Sequence, residues 1–392
     1  MNRAEPLIGV INAGSSSLKF SFYEGDCRII SGIFDGLGIT PRVQVSGSDG
    51  IELTPPNLGQ TPPISASDAL APLLVWANEQ LGGRKLAALG HRVVHGGVHH
   101  THPEKVTPEL LAELESLIPL APLHEPHNLA PIRTALAFDP KLPQVACFDT
   151  AFHRTMPEVA QAFALPYAMH DEGIRRYGFH GLSYEYIASV LPECAPEIAD
   201  GRVIVAHLGN GASMCALKAR VSVATTMSFT ALDGLPMGTR SGAIDPGVIL
   251  HLIENRGMSA EGIEDLLYRK SGMLGLSGIS SDFRELLTST NPRARFAIDV
   301  FCYQAARHIG SLAAALGGLD GLVFSAGIGQ NAAPIRAAIC EASGWLGLEL
   351  DQAANQRHGP RISKPSSRVA AYVIPTDENL MIAQHTRSLL AS

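Results

Sequence analysis

One plan occurs twice in this chain: an apolar strand, a turn of small residues, and a second strand. Leu7-Ile8-Gly9-Val10-Ile11 runs into Asn12-Ala13-Gly14-Ser15-Ser16-Ser17 and then into the alternating Leu18-Lys19-Phe20-Ser21-Phe22. About 196 positions later, Val203-Ile204-Val205-Ala206-His207-Leu208 runs into Gly209-Asn210-Gly211 and then Ala212-Ser213-Met214-Cys215-Ala216-Leu217. A repeat at that distance fits an α/β protein of two related halves, because each hairpin needs its own sheet and covering helices to bury its apolar face. A third unit is strand, glycine turn and helix: Gly321-Leu322-Val323-Phe324-Ser325, then Ala326-Gly327-Ile328-Gly329-Gln330-Asn331, then Ala332 to Cys340. Apolar residues three or four apart predict helices over Pro108 to Leu117, Ser183 to Val190 and Arg293 to Leu316. The boundary between the halves is placed near Asp149. There an apolar strand, Gln144 to Phe148, gives way to a segment rich in Pro, His and charge.

Composition agrees with two folded halves. The 392 residues are 46% hydrophobic and only 17% charged, which excludes disorder and leaves room for about two domains at roughly 150 residues each. The formal net charge of -7, with no cluster of Lys and Arg, excludes a protein that wraps nucleic acid. It does not exclude anion binding at a focused site. Six cysteines, Cys27, Cys147, Cys194, Cys215, Cys302 and Cys340, are widely spaced with no CxxC, so free thiols in a reducing cytoplasm are expected. The first apolar run, Leu7 to Ile11, is too short for a signal peptide, and no apolar stretch of about 18 residues predicts a membrane span.

The turns point to phosphate. Small residues at a strand end let backbone N–H groups approach a phosphate, hydroxyls add donors, and Lys19 adds charge on the next strand. An ordinary hairpin turn is the alternative for each alone, since Gly, Ser and Asn-Gly favour turns anyway. Three such turns at the ends of apolar strands fit one nucleotide site better than three coincidences. No GxxxxGK[ST] loop, GxGxxG, GxSxG elbow or kinase HRD or DFG signature is present, so P-loop NTPase, Rossmann dehydrogenase, α/β-hydrolase and protein kinase readings lose support.

His91 to His102 holds five of the 15 histidines. His91, His95 and His99 would share one face of a helix, a zinc pattern and hence a zinc hydrolase. Val93, Val94 and Gly96-Gly97 oppose that helix. Read as a strand leading to a loop, the segment delivers Arg92 to a strand end, where its guanidinium can hold a carboxylate or phosphoryl group. Met237-Gly238-Thr239-Arg240-Ser241-Gly242 offers a second such arginine, Tyr177-Gly178-Phe179-His180-Gly181 an imidazole, and Phe148-Asp149-Thr150 a carboxylate after an apolar strand. Two cations, one imidazole and one carboxylate suit phosphoryl transfer, in which catalysis is mostly positioning and charge stabilisation.

The motifs NAGSSSLK, HRVVHGG, APLHEPHN, FDTAFHRTMP, YGFHGLSY, HLGNG, MGTRSG, SDFRE, AGIGQN and PTDENL, in this order from about residue 7 to 385, resemble those of the acetokinase family. The resemblance implies two duplicated ribonuclease-H-like domains of the acetate and sugar kinase/actin superfamily, with the active site in the cleft between them. On that pattern 1–149 is the first domain, 150–379 the second with the nucleotide site, and a C-terminal segment from about 380 to 392 packs back onto the first. It further implies reversible phosphorylation of acetate by ATP to acetyl phosphate and ADP, Mg²⁺ (with Mn²⁺ as an alternative), and a cytoplasmic homodimer.

Carried over by position, Asn12 and Glu378 look like the metal-binding pair and Lys19 a contact to the nucleotide phosphates. His207, Leu208, Gly209, Asn210 and Gly211, then Asp282, Phe283 and Arg284, then Gly327, Ile328, Gly329, Gln330 and Asn331, resemble the three ATP-binding segments. Arg92 matches the substrate-binding arginine, Asp149 the catalytic aspartate, and His180 and Arg240 the groups that stabilise the transition state. Val94, Leu123 and Phe179 match the wall around the acyl methyl. Three positions depart from the family pattern. Ala231 stands for a usual Pro beside the methyl pocket, Ala243 for Asp and Gln330 for Glu. A looser pocket at Ala231 leaves propionate or butyrate as alternative substrates, since one methylene is worth only ~1–3 kcal/mol of discrimination. An actin-like ATPase without carboxylate kinase activity is the rival of another class.

Overall fold

A computed structural model describes residues 5–14, 17–37, 41–58 and 65–391. Met1 to Ala4, and Ser15 and Ser16 of the first turn, lie outside the described residues. The chain divides into two units, Met1–Phe152 with Asp377–Ser392, and His153–Thr376. Asp149, the last residue given to the first half from sequence, donates its backbone N–H to Val93 of the first unit at 3.0 Å, and the first unit runs three residues further, to Phe152.

The first unit holds β1 (Leu7–Ala13), β2 (Ser17–Glu24), β3 (Cys27–Asp35), β4 (Arg42–Gly47), β5 (Ala88–Val93), β6 (Glu104–Lys105) and β7 (Gln144–Phe148), in the order β4-β3-β2-β1-β5-β7-β6. The second holds β8 (Arg202–Leu208), β9 (Ala212–Lys218), β10 (Val221–Thr225), β11 (Gly321–Ser325) and β12 (Ala370–Val373), in the order β10-β9-β8-β11-β12. The repeat seen in the sequence is a repeat of topology. In each unit two antiparallel pairings, β3·β2 and β2·β1 or β10·β9 and β9·β8, join two parallel ones, β1·β5 and β5·β7 or β8·β11 and β11·β12. Parallel neighbours require crossover helices, and helices on both faces explain why β1 is buried from end to end and β8 over all but its first residue.

Phe20, Phe22, Phe34 and Trp76 form an aromatic cluster in the first unit, with Trp76 Nε1 donating to the Thr54 carbonyl at 2.9 Å. The expected helices are found as Pro108–Ser116, Gly181–Cys194 and Pro292–Leu316. The third glycine turn differs from the sequence reading: Ala326–Asn331 is itself helical and is followed by a second helix, Ala333–Ala342. Among the described residues no helix is long and apolar enough to cross a membrane.

The chain returns to the first unit at its end, where helix Glu378–Ala391 packs on β1, β5 and β7. Gly90 of β5 makes that contact possible. A Cβ there would run into Thr386 Oγ1 and come within 2.5 Å of Ile382 Cγ2. Gly90→Ala is therefore expected to destabilise the protein by about 1–3 kcal/mol through overpacking, read as a lower urea midpoint. An unchanged midpoint would show that this helix does not press on β5.

Candidate active site

In the first unit the polar groups emerge at strand ends. Asn12, the penultimate residue of β1, pairs in register with Lys19 of β2. Its Nδ2 donates to Glu378 Oε2 at 3.3 Å, so a carboxamide and a carboxylate separated by 366 residues meet at one spot. Lys19 is exposed. Arg92 is the penultimate residue of β5 and Asp149 follows β7, the strand paired with it. Arg92 Nε donates to both Asp149 oxygens at 3.1 Å, and Nη2 donates to Oδ2. This contact uses one edge of the guanidinium; Nη1 makes no hydrogen bond among the described residues. Burial opposes the charge on Arg92, but Asp149, Glu378 and Glu125 outweigh it and hold the group above its ordinary value.

Val94 is buried and Leu123 half-buried. Val94 N–H donates to Asn128 Oδ1 at 2.9 Å, while Asn128 Nδ2 donates to the Ala13 carbonyl at 2.7 Å, tying the ends of β1 and β5 together. Asn128 was legible only as a letter of the APLHEPHN motif. The histidine-rich segment is a strand and then a turn, so His91, His95 and His99 do not share a helical face. Burial pushes His91 and His95 down to about 4, so both imidazoles are neutral near pH 7. Among the described residues no group of three or more His, Cys, Asp or Glu could hold a metal ion.

In the second unit the groups converge on Gly211. A Cβ at this position would lie 3.0 Å from Arg240 Nη2 and 3.2 Å from His180 Nε2. His180 caps helix Gly181–Cys194 in a left-handed conformation (φ 57°) and stacks on His207, the penultimate residue of β8, with ring centroids 4.3 Å apart. His180 Nδ1 meets Ser213 Oγ at 2.8 Å, and His207 Nδ1 meets Ser183 Oγ at 2.7 Å. Phe179 is buried, and its carbonyl lies 2.9 Å from His153 Nε2.

Arg240 is aimed by its loop. Its Nη1 donates to the Ala231 carbonyl at 2.6 Å, a backbone anchor that does not depend on the side chain at this departure from the family pattern. The loop is pinned by Met273 N–H to the Met237 carbonyl at 2.8 Å and Leu274 N–H to the Gly238 carbonyl at 2.9 Å. Gly272 (φ 59°) must be glycine, because a Cβ would meet the Met237 carbonyl and come within 2.6 Å of that of Arg240.

The remaining expected nucleotide segments differ in exposure. Asp282 caps helix Phe283–Thr288 and holds the exposed Arg284, whose Nε donates to its two oxygens at 3.1 and 3.0 Å. Phe283 packs edge-on against Phe301, centroids 4.8 Å apart, so its ring belongs to the core. Gly327 and Asn331 are exposed, Ile328 and Gln330 half-buried, Gly329 buried. Arg336 supports them from beneath. Fully buried, it donates through Nη1 to the Gly329 and Gln330 carbonyls at 2.9 and 2.8 Å, and through Nε to Asn355 Oδ1 at 2.8 Å. Sequence reasoning missed Arg336, since an arginine inside an amphipathic helix reads as surface.

The family model for the acetokinase family matches residues 7–384. An acetate kinase of Nitrobacter hamburgensis is 54% identical over 390 residues, 97% of this chain and 95% of that protein. Among solved structures, an acetate kinase of Porphyromonas gingivalis matches with a TM-score of 0.86 at 38% identity, covering 98% of this chain and 100% of that one. A propionate kinase of Francisella tularensis matches with a TM-score of 0.90 at 36% identity, covering 98% and 99%.

Glu125, at the start of helix Glu125–Phe138, is the titratable group that the sequence did not mark. Burial pushes it up to about 8, against the lowering pull of the His95 backbone N–H and the Arg92 charge. Between its ordinary 4.5 and about 8 the folded chain holds a proton that the unfolded chain has lost, so stability falls as pH rises through this window. In urea titrations from pH 5 to 8, Glu125→Gln is expected to remove a slope of up to ~1.4 kcal/mol per pH unit. Parallel wild-type and variant profiles would refute it.

Proposed function

Because the chain belongs to the acetokinase family and its activity is that of an acetate kinase, we propose that Arg92, Asp149, His180 and Arg240 divide the work of direct phosphoryl transfer. A carboxylate oxygen of acetate forms a bond to the γ-phosphorus of ATP as the bond to the β,γ-bridging oxygen breaks and ADP leaves. The acceptor is already an anion, so no proton has to be removed. The protein's task is to hold two anions in line and to meet charge on the moving group.

Asp149 engages Arg92 by Nε and Nη2, which leaves the Nη1 side of the fork for the acetate carboxylate. Arg240 and His180, aimed at one point beside Gly211, meet the phosphoryl oxygens; this convergence is the observation that carries the reading. Lys19, His207 to Gly211, Asp282 to Arg284 and Gly327 to Asn331 bind ATP. Val94, Leu123 and Phe179 wall the acyl methyl. Asn12 and Glu378 offer an amide and a carboxylate oxygen, hard donors that suit Mg²⁺ or Mn²⁺. When bound, the ion would neutralise phosphate charge.

A cytoplasmic location is supported by six free cysteines. Dimerisation of two copies is supported by helix Pro246–Arg256, which buries no residue and exposes Val248, Leu250 and Ile253. Propionate is a second substrate reading, favoured by the likeness to a propionate kinase and by Ala231.

Arg92→Ala and Arg240→Ala are each expected to lower kcat on the order of 10²–10³-fold. Trapping acyl phosphate with hydroxylamine on acetate, propionate and butyrate measures this and ranks the acyl groups; near-normal turnover by a folded variant would refute the assignment. Leu250→Glu is expected to convert a dimer to monomers in sedimentation, and an unchanged sedimentation coefficient would place any contact elsewhere.

A further inference from the structure

We infer that Tyr184 and Ser213 fix the tautomer of His180, placing its proton on Nε2 and making that nitrogen a preset donor to the reacting phosphoryl group. The inference rests on the reading that His180 acts on that group, and it adds two positioning residues that neither the motifs nor the family likeness assigns.

The argument is a count of hydrogens. Tyr184 lies one helical turn after His180, with its N–H bonded to the His180 carbonyl at 3.1 Å, and Ser213 lies on β9 in register with His207. Both side chains are fully buried. Tyr184 Oη is 2.5 Å from Ser213 Oγ, and Ser213 Oγ is 2.8 Å from His180 Nδ1. Among the described residues neither hydroxyl has another hydrogen-bond partner, so each hydroxyl hydrogen can be accepted only by the other hydroxyl or by His180 Nδ1.

If Nδ1 carried the proton, Ser213 would accept it. The serine hydrogen would then either go to Tyr184, leaving the buried phenol hydrogen without an acceptor, or remain without an acceptor itself. Only one arrangement leaves both buried hydroxyl hydrogens bonded: Tyr184 donates to Ser213, Ser213 donates to Nδ1, and Nε2 bears the imidazole hydrogen. Burial holds the Tyr184 hydroxyl well above its ordinary value, so the phenol keeps the proton that starts the chain. Nε2 is the nitrogen that looks toward Gly211, on the side where Arg240 Nη2 also lies. The order of bonds thus points the donor to the place where charge must be met. A histidine free to switch tautomer would present a lone pair to a phosphoryl oxygen for part of the time.

The test is long-range ¹H–¹⁵N correlation on the full chain labelled in histidine, with the His180 resonances assigned by their loss in His180→Ala. Wild type is expected to show the Nε2–H tautomer with a hydrogen-bonded Nδ1 acceptor. Ser213→Ala should shift the ring toward a tautomer mixture and lower kcat on the order of tenfold, with KM for acetate and ATP unchanged; Ser213→Thr should restore both. Tyr184→Phe, which keeps the ring packing, should move the same resonances in the same direction and stands in if Ser213→Ala does not fold. A wild-type Nδ1–H tautomer, or a tautomer unmoved in either variant, would overturn the inference. Turnover in His180→Ala reports on the role of His180 itself, so the failure of that role is distinguishable from the failure of the tautomer assignment.

Discussion

A central strand bonded on both edges and covered on both faces has no place for a polar side chain except at its end. β1 and β8 are such strands, and their penultimate residues are Asn12 and His207. The parallel neighbour β5 carries Arg92 at its penultimate position and admits the buried His91 before it only as a neutral imidazole, and β7 releases Asp149 at its first residue beyond the sheet. In α/β sheets the carboxyl ends of strands are where ligands bind, because there the backbone stops pairing with itself and can face something else. Asn12, Arg92, Asp149 and His207 all stand where the sheets run out of partners.

Duplication supplied two copies of that arrangement, which have since diverged. Asn12 pairs in register with Lys19, and His207 in the equivalent place pairs with Ser213. The first hairpin thus presents an exposed ammonium beside a carboxamide, suited to phosphate and metal. The second presents a buried hydroxyl beside stacked imidazoles, suited to orienting a donor. One backbone plan carries two electrostatic characters, decided by the residues facing each other across the turn.

What the sequence made legible is local. Apolar runs, small-residue turns and helical periodicity are written in adjacent letters, and the strands and long helices follow from them. What it left unread is non-local. Asn12 meets Glu378, Arg92 meets Asp149, and Asn128 ties β1 to β5, and no spacing rule marks such pairs. Helix Ala326–Asn331 looks like a turn in sequence because glycines at its start and middle weaken the helical pattern, while Arg336 beneath it supplies bonds that hold it. Glu125 and Arg336 resemble surface residues in sequence, since burial of a charge is decided by what the fold brings around it. The motif resemblance names candidate site residues; it does not reveal what holds each in place.

Arg92 shows what a buried charge needs from the fold. It is bonded to the Asp149 carboxylate, which offsets the cost of burying its charge and leaves a fork of fixed direction. Under the proposed function a substrate carboxylate there joins an ion pair and shares a charge already engaged. Arg240 has a backbone carbonyl among its anchors, and this fixes the direction of Nη1 whatever side chain stands at Ala231. Loss of Asp149 would leave Arg92 an uncompensated buried charge, so that carboxylate serves the fold as well as the candidate site.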